Sequence, residues 1–301
     1  MTARKILTEA YSRLEEHGVD EAGLNAEWLL ADAMGVPRLR LLAEPGLPVC
    51  PAALKKFKGY LVLKEQGLPL AYILGWQDFR GLRINVDKRV LVPRPETEEL
   101  AGLAADFLRT RKGELSALDY GAGSGAIGLW LAREFPALRL TAAEKSARAI
   151  VCARGNAENL GLAARVKFVR ASTLAPVRGR FDLIVSNPPY IPTSVIPGLS
   201  PEVLSEPHMA LDGGSDGLDV ARMLADKAPS RLKPGGALIM EMGEAQAHKM
   251  LAAMPSSKWK EKKAFKDLQG VERFVFAVIK SGIEGRPRGC PRAALGRGAP
   301  P

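Results

Sequence analysis

The segment Asn187-Pro188-Pro189-Tyr190 follows directly on the apolar run 181–185, which is typical of a buried strand. Pro188 disfavours the helical conformation for Asn187, and the two prolines fix their own φ angles and remove two backbone donors. The segment therefore presents hydrogen-bond acceptors, the Asn187 side-chain oxygen and the Pro188 carbonyl, beside an aromatic ring. Such a set suits a planar group that carries an NH2, which donates two hydrogen bonds and stacks on the ring. A rigid turn without chemistry is the plainer alternative.

A second candidate segment is glycine-rich and lies between a predicted strand at 115–118 and a predicted helix at 127–132. In that context a ligand can approach bare backbone at a helix N-terminus. The spacing of Gly121, Gly123 and Ala126 also fits the relaxed dinucleotide fingerprint, so the loop alone does not separate NAD from other nucleosides. The residues that we expect to form the ligand site are Asp119, Gly121, Ala122, Gly123, Ser124 and Gly125. Asp119 either orients this loop or caps its turn.

Glu144 ends the next predicted strand, 138–143, and lies 23 positions after Gly121. An acid at this place can accept hydrogen bonds from both hydroxyls of a ribose. The two loops and this acid together predict a nucleoside site beside a group that holds an NH2.

The order of these three features resembles that of the class I S-adenosylmethionine-dependent methyltransferases that alkylate NH2 groups. The segments 69–75 (PLAYILG) and 90–100 (VLVPRPETEEL) narrow the match, because they are similar to the signature of the peptide chain release factor glutamine methyltransferases. The resemblance runs from the first residues to about Lys280. Further segments that follow this family in order are Glu206-Pro207, Ala210-Leu211, Asp216-Gly217-Leu218, 232–236, Glu241-Met242-Gly243 with Gln246, and 266–268 with Arg273.

The resemblance implies an α/β fold of the class I methyltransferase type, with a Rossmann-like, mostly parallel seven-stranded sheet and a small N-terminal helical domain. It implies transfer of a methyl group from S-adenosylmethionine to the side-chain amide of the glutamine in the Gly-Gly-Gln loop of a release factor. In that reaction Asn187, Pro188 and Tyr190 are expected to be catalytic. The same three residues and Pro189 are expected to bind the substrate, and Asn187 also contacts the methyl donor.

The sequence departs from the family at two places near the expected methyl donor. Glu144 stands where the family usually has Asp, which lengthens the reach to the ribose. The segment 170–173 lacks the usual acid near the adenine, which leaves Thr173 as the expected contact there.

Other functions remain open on the residues alone. Within the class, the acceptor can be a glutamine of a ribosomal protein. A DNA or RNA adenine methyltransferase also acts on a planar NH2, but it must extract its base and hold nucleic acid on a basic surface. A module that only senses S-adenosylmethionine is a third possibility, against which the intact Asn-Pro-Pro-Tyr segment argues.

Composition is that of an ordinary globular protein, with 47% apolar and 25% charged residues among 301. No apolar run is long enough for a membrane span, and the scattered cysteines and histidines fit neither a disulfide framework nor a metal site. We therefore expect a cytoplasmic protein without metal.

The net charge is +10, yet residues 1–75 carry nine basic and nine acidic side chains. This region therefore lacks the excess positive charge that binds the phosphates of a nucleic acid. The lysine cluster 258–263 is interpreted as the solvated face of a late strand rather than an RNA contact.

Helix breakers and periodicity divide the chain into four parts. Residues 1–75 are predicted to be a helical substrate-recognition domain, 76–98 a hairpin or linker, 99–280 the methyltransferase domain and 281–301 a disordered basic tail. Alternation of strands and helices after residue 115 predicts a parallel sheet whose ligands lie beyond the carboxyl ends of the strands. Further strands are predicted at 166–169, 181–186, 237–242 and 271–279. We expect a monomer without a stable nucleic acid partner.

Six further polar residues lie near these segments. Arg94, Thr97 and Glu98 either contact the methyl-donor pocket or serve as a linker. Glu206 is interpreted mainly as ordering the loop after the Asn-Pro-Pro-Tyr segment, and Glu241 as structural support. His208 is interpreted as an exposed loop residue.

Overall fold

The first part of the chain is helical in the computed structural model, which describes residues 1–280. The predicted disordered tail, 281–301, lies outside the described residues. Residues at helical spacing, Ile6, Ala10 and Leu14, are buried against Leu29 and Leu30, as their periodicity predicts. The five helices are α1 (Ala3–Glu16), α2 (Ala22–Met34), α3 (Arg38–Ala43), α4 (Pro51–Glu65) and α5 (Leu70–Leu74).

A short antiparallel hairpin follows, formed by β1 (Trp76–Phe79) and β2 (Leu82–Asn85). Its apolar side chains, Phe79, Leu82 and Ile84, are buried in the core of the sheet region that comes next. The two strands occupy residues 76–85 of the segment 76–98, for which a hairpin or a linker was expected.

The rest of the described chain is a seven-stranded sheet with helices on its faces. Its order is β5-β4-β3-β6-β7-β9-β8, in which the first five strands run parallel and the last two pair antiparallel. The order reverses beside β3, which is where open α/β sheets bind ligands. The strands are β3 (Ser116–Tyr120), β4 (Arg139–Glu144), β5 (Val166–Arg170), β6 (Phe181–Ser186), β7 (Leu232–Glu241), β8 (Trp259–Lys266) and β9 (Glu272–Ile279). The helices are α6 (Pro95–Arg109), α7 (Ala126–Glu134), α8 (Ala147–Asn159), α9 (Pro201–Leu204), α10 (His208–Leu211), α11 (Asp219–Lys227) and α12 (Ala247–Ala253).

Both faces of the sheet are covered, and β6 shows it most clearly because all six of its residues are buried. Leu183 and Val185 belong to the apolar core on one face, whereas Ile184 belongs to the core on the other. A strand buried on both sides reads as a continuous apolar run, which is why 181–186 was predicted with its correct bounds.

Two late strands differ from their predicted form. β7 begins at Leu232 rather than 237, because Leu232 already pairs with Phe181 of β6. The Lys-Pro-Gly-Gly segment, which is typical of a turn, forms the irregularity between this pair and the next one at Ala237. The lysine cluster does lie on the late edge strand β8, but it is not wholly solvated. Lys262 donates to the Leu251 and Met254 carbonyls at 2.9 and 2.7 Å. None of the helices within 1–280 has the length and apolar character needed to cross a membrane.

The helical region contacts the loop 199–206 of the sheet region through an ion pair whose lysine is buried. The Lys64 side chain is 2% exposed and pairs with the carboxylate of Glu202. Next to it, the Ser205 hydroxyl donates to the Gly67 carbonyl at 3.2 Å. A Cβ atom at Gly67 would lie 2.6 Å from Cβ of Pro201, so glycine is required for this approach. These contacts tie the helices to the loop that follows the Asn-Pro-Pro-Tyr segment.

A Glu202→Ala variant is expected to be less stable than a Lys64→Met variant. Removing the carboxylate leaves an ammonium group buried without its partner, which lowers the free energy of unfolding by roughly 1–3 kcal/mol. Methionine fills the space of the lysine stem without the charge, and such apolar replacements are often neutral. Urea denaturation of the two variants measures the difference. Equal losses, or a larger loss for Lys64→Met, would show that the ion pair does not determine the stability of this contact.

Candidate active site

Three loops meet at the carboxyl edge of the sheet and line a cavity of about 430 Å³. They follow β3, β4 and β6, the three neighbouring strands at the point where the strand order reverses. Residues that the sequence analysis selected and that line this cavity are Gly121, Gly123, Glu144, Asn187 and Pro189. The structure thus brings together the glycine loop, the acid and the Asn-Pro-Pro-Tyr segment.

The glycine loop is held close to the segment after β6. Gly121 has φ 73°, a conformation that favours glycine. Its N–H and that of Ala122 donate to the Ala143 carbonyl at 2.8 and 3.2 Å. A Cβ atom at Gly121 would lie 4.0 Å from the Asn187 carbonyl oxygen. The loop therefore exposes backbone directly beside the Asn-Pro-Pro-Tyr segment.

Asp119 lies behind this loop and does not line the cavity. Its side chain is buried, and Oδ2 accepts from the Gly128 N–H at 2.9 Å. Burial raises the pKa of Asp119 to about 7. A Cβ atom at Gly128 would lie 2.8 Å from the same Oδ2, so the close approach explains that glycine. These contacts favour the turn-capping interpretation of Asp119.

Three other loop residues that were expected at the methyl donor also lie outside the lining of the cavity: Ala122, Ser124 and Gly125. Ala122 and Ser124 are buried, and the Ser124 carbonyl accepts from the Asn156 amide at 2.9 Å. Gly125 has φ 84° and directly precedes α7. Their contacts hold the shape of the loop.

Glu144 lines the cavity and is oriented by two backbone donors. Oε2 accepts from the Gly123 N–H at 3.0 Å and Oε1 from the Ser146 N–H at 2.7 Å. Each carboxylate oxygen has a second lone pair, so both can still accept from a ligand hydroxyl. The acid is thus fixed beside the exposed glycine backbone, and the arrangement fits a ribose.

If S-adenosylmethionine is the ligand, as the sequence predicts, a Glu144→Ala variant is expected to bind it more weakly by roughly 1.5–3 kcal/mol, the scale of hydrogen bonds to a charged group. Calorimetric titration of wild type and variant measures this loss. Glu144→Asp, which keeps the carboxylate, should bind more tightly than Glu144→Ala. Unchanged affinity in Glu144→Ala would assign this carboxylate to the loop structure alone.

Thr173, the expected contact near the adenine, does not line the cavity. Ala171 and Ser172 line it instead, and the Thr173 hydroxyl accepts from the Ala175 N–H at 3.3 Å. Its position follows from β5, which ends at Arg170, so the residues directly after the strand face the ligand side.

The cavity is also lined by residues for which the sequence predicted no role: Arg89, Val90, Leu91, Lys145, Ser146, Met209, Ala210 and Asp212. Val90 and Leu91 belong to the segment 90–100, whose resemblance to a family signature was the available signal. The resemblance indicated a family, but it did not indicate that these residues line the cavity.

A second cavity of about 230 Å³ adjoins the first at Asn187. Asn187 lines both, whereas Pro188 and Tyr190 line only the second. Burial raises the pKa of Tyr190 to about 12, so its phenol is neutral at physiological pH. Gln246 donates to the Tyr190 carbonyl at 2.8 Å and so fixes the backbone of the segment. Asn187, Pro188 and Tyr190 therefore line a separate space next to the nucleoside-type cavity.

Arg94 and Glu206 form an ion pair at the border of this second space. The buried Glu206 carboxylate also accepts from the Val92 N–H at 2.8 Å. Burial raises the pKa of Glu206, and the charge of Arg94 acts against that shift. These contacts tie the loop around 199–206 to the segment before α6, which agrees with a loop-ordering role for Glu206. His208 lies at the rim of the first cavity with a side chain that is 67% exposed.

Residues 5–75 match the family model described as the PrmC N-terminal domain, and residues 103–197 match the methyltransferase small domain. The release factor glutamine methyltransferase of Moorella thermoacetica is 41% identical over 280 residues, which cover 92% of this chain and 98% of that protein. The enzyme of the same name from Deinococcus radiodurans is 40% identical over 277 residues, covering 92% and 98%.

The chain belongs to the release factor glutamine methyltransferase family. A solved structure of the hMettl16 catalytic domain in complex with MAT2A 3′UTR hairpin 6 has a TM-score of 0.55 at 15% identity. It covers 73% of this chain and 81% of that one. At that identity the likeness concerns the fold, which is the class I methyltransferase fold that the sequence predicted. The chain is accordingly a methyltransferase.

Proposed function

We propose that this protein transfers a methyl group from S-adenosylmethionine to the side-chain amide nitrogen of the glutamine in the Gly-Gly-Gln loop of a peptide chain release factor. The observation that carries the proposal is the place of Asn187, which borders both the nucleoside-type cavity and the smaller cavity beside Tyr190. A methyl donor in the first and an amide in the second would meet at this residue. The family names of the relatives support the same acceptor.

Two features of the first cavity support S-adenosylmethionine as its ligand. Glycine backbone is exposed at Gly121 and Gly123, and the oriented carboxylate of Glu144 suits ribose hydroxyls. Ala171 and Ser172 would lie along the adenine in place of the expected Thr173. When bound there, the donor supplies an electrophilic methyl group on a sulfonium.

The chain's part in the chemistry is to hold and orient the acceptor amide. An amide nitrogen is a poor nucleophile because its lone pair is delocalised into the carbonyl. Oδ1 of Asn187 and the carbonyl of Pro188 would each accept one N–H, which holds the NH2 and directs its lone pair out of the amide plane. Orientation of this kind contributes up to roughly 7–11 kcal/mol in favourable cases. The Tyr190 ring would pack on the amide, and the excess proton leaves to water.

We also propose a separate role for each part of the chain. Residues 1–75 would recognise the protein substrate, 76–98 connect the two parts, and 99–280 carry the methyl transfer. In support, a groove of about 430 Å³ runs between the helical region and the loop 199–206 and reaches Arg94 at the small cavity. The neutral charge of residues 1–75 suits a folded protein better than a nucleic acid.

The proposal is tested with purified protein, a labelled methyl donor and three acceptors in parallel: a release factor, ribosomal proteins and DNA. We expect one methyl group on the release factor, located by mass spectrometry on the glutamine of its Gly-Gly-Gln loop. Methyl groups on a ribosomal protein or on adenine, or on none of the acceptors, would contradict the assignment.

A further inference from the structure

Behind the Asn-Pro-Pro-Tyr segment, three polar side chains from distant parts of the chain form a hydrogen-bonded row. The Asn187 Nδ2 group donates to Oγ1 of Thr97 at 2.9 Å, and the Thr97 hydroxyl donates to Oε2 of Glu241 at 2.8 Å. Thr97 lies in the first turn of α6, and Glu241 ends β7. Thr97 is 4% and Glu241 1% exposed, so water does not readily replace either partner.

The row has a direction that follows from its two ends. A threonine hydroxyl has one hydrogen, and here it points to a carboxyl oxygen. The oxygen of Thr97 therefore offers only lone pairs to Asn187, and it requires an N–H rather than a carbonyl oxygen from that side chain. The amide of Asn187 is held in one of its two flip states.

The fixed flip state leaves Oδ1 of Asn187 for another partner. Within residues 1–280 no hydrogen bond to this oxygen is formed, and Asn187 borders both cavities. The opposite flip would turn the NH2 toward the acceptor space, where it would repel an incoming N–H donor. The direction of the row thus decides whether Asn187 can accept.

We propose that Thr97 is a positioning residue. Its hydroxyl donates to Glu241 and can therefore only accept from Asn187, which holds Asn187 with Oδ1 toward the acceptor amide. The inference rests on the proposed function only for the identity of that acceptor. The inference goes beyond the proposed function because it assigns roles to Thr97 and Glu241, which do not line either cavity. Glu241 acts through Thr97, and Thr97 acts through Asn187.

Charged groups around Glu241 do not replace Thr97 in this role. Burial raises the pKa of Glu241 to about 7, the hydroxyl of Thr97 lowers it, and Glu96, Arg273 and Arg94 act from a distance. Thr97 is the group that hydrogen-bonds the Glu241 side chain among the described residues. The direction of the row is that of the ionised carboxylate, which has no hydrogen to donate to the Thr97 hydroxyl, so the variants below are compared at a pH above 7.

The test compares Thr97→Val with Thr97→Ser. Valine keeps the shape and loses the hydroxyl, so Asn187 is free to flip and kcat should fall roughly 10- to 100-fold, the scale of a misplaced reacting group. Serine restores the hydroxyl, and kcat should return to within about threefold of wild type. The dissociation constant for S-adenosylmethionine, measured by calorimetry, should change less than about threefold in both, because Thr97 does not line the donor cavity. Thr141→Val, at a buried threonine of β4, controls for loss of a buried hydroxyl elsewhere in the sheet.

A second readout does not depend on activity. The side-chain NH2 resonances of Asn187, assigned by their loss in Asn187→Ala, should shift in Thr97→Val and in Glu241→Leu and stay near wild type in Thr97→Ser. If wild type methylates no release factor, the proposed function fails, and these resonances still decide the inference. Wild-type kcat in Thr97→Val, an equal loss in Thr97→Ser, or unshifted Asn187 resonances in Thr97→Val would overturn it.

Discussion

An Asn187→Ala variant is expected to lose turnover by roughly 100-fold or more while it binds S-adenosylmethionine with an affinity close to that of wild type. Alanine removes the oxygen that would accept the substrate N–H at the reacting nitrogen. Glu144 and the exposed backbone at Gly121 and Gly123, which would hold most of the donor, are unchanged. The loss should therefore appear in kcat more than in donor binding.

Single-turnover methylation of a release factor and calorimetric titration of the donor measure the two effects separately. Asn159→Ala is a matched control, because Asn159 is exposed at the end of α8. Turnover near wild type in Asn187→Ala would remove this residue from the mechanism. A large loss of donor affinity with unchanged turnover at saturating donor would assign Asn187 to the donor cavity instead.

The sequence predicted the parts of the site that lie within single segments. Strand 181–186, the turn forced by Pro188 and the glycine loop after β3 are local consequences of residue type, and the structure has them in place. Their meeting at one edge follows from the parallel order of β4, β3 and β6. Residue pattern and topology together were enough for these features.

Contacts between distant segments could not be predicted in the same way. Thr97 and Glu241 are 144 positions apart, and Lys64 and Glu202 are 138 apart. A lone threonine or glutamate has no periodicity that reveals its partner, and only tertiary packing brings such pairs together. Thr97 was therefore interpreted as a donor contact or a linker, whereas it hydrogen-bonds Asn187 from behind.

The difference at Thr173 has a local cause. Residues after a parallel strand face the ligand only while the chain remains at the sheet edge. Ala171 stays there because its N–H donates to the Glu144 carbonyl at 2.9 Å. By Thr173 the chain has turned, and the hydroxyl caps that turn at Ala175. A prediction displaced by one or two residues is the expected error where a strand end is judged from sequence.

The second large effect on methylation is expected when the acceptor glutamine of the release factor is replaced. A release factor whose loop glutamine is replaced by glutamate should gain no methyl group, because a carboxylate has no N–H to donate to Asn187 or to the Pro188 carbonyl. Replacement by asparagine shortens the side chain by one methylene, roughly 1.5 Å, and a displacement of that size reduces the rate by about 100-fold. The loss should appear in the rate of transfer, because contacts of the factor with the helical region and the loop 199–206 would be unchanged.

Mass spectrometry of the factor after incubation with enzyme and labelled donor measures both variants against the native glutamine. Competition with the unlabelled native factor shows whether the variants still bind, which they should if the helical region recognises surfaces remote from the loop. Methyl groups on the glutamate variant would place the transferred group elsewhere on the factor. Asparagine methylated as fast as glutamine would mean that the small cavity beside Tyr190 does not set the distance to the methyl group. Both results would contradict an acceptor amide held by Asn187 and Pro188, because that arrangement depends on an NH2 at a defined depth.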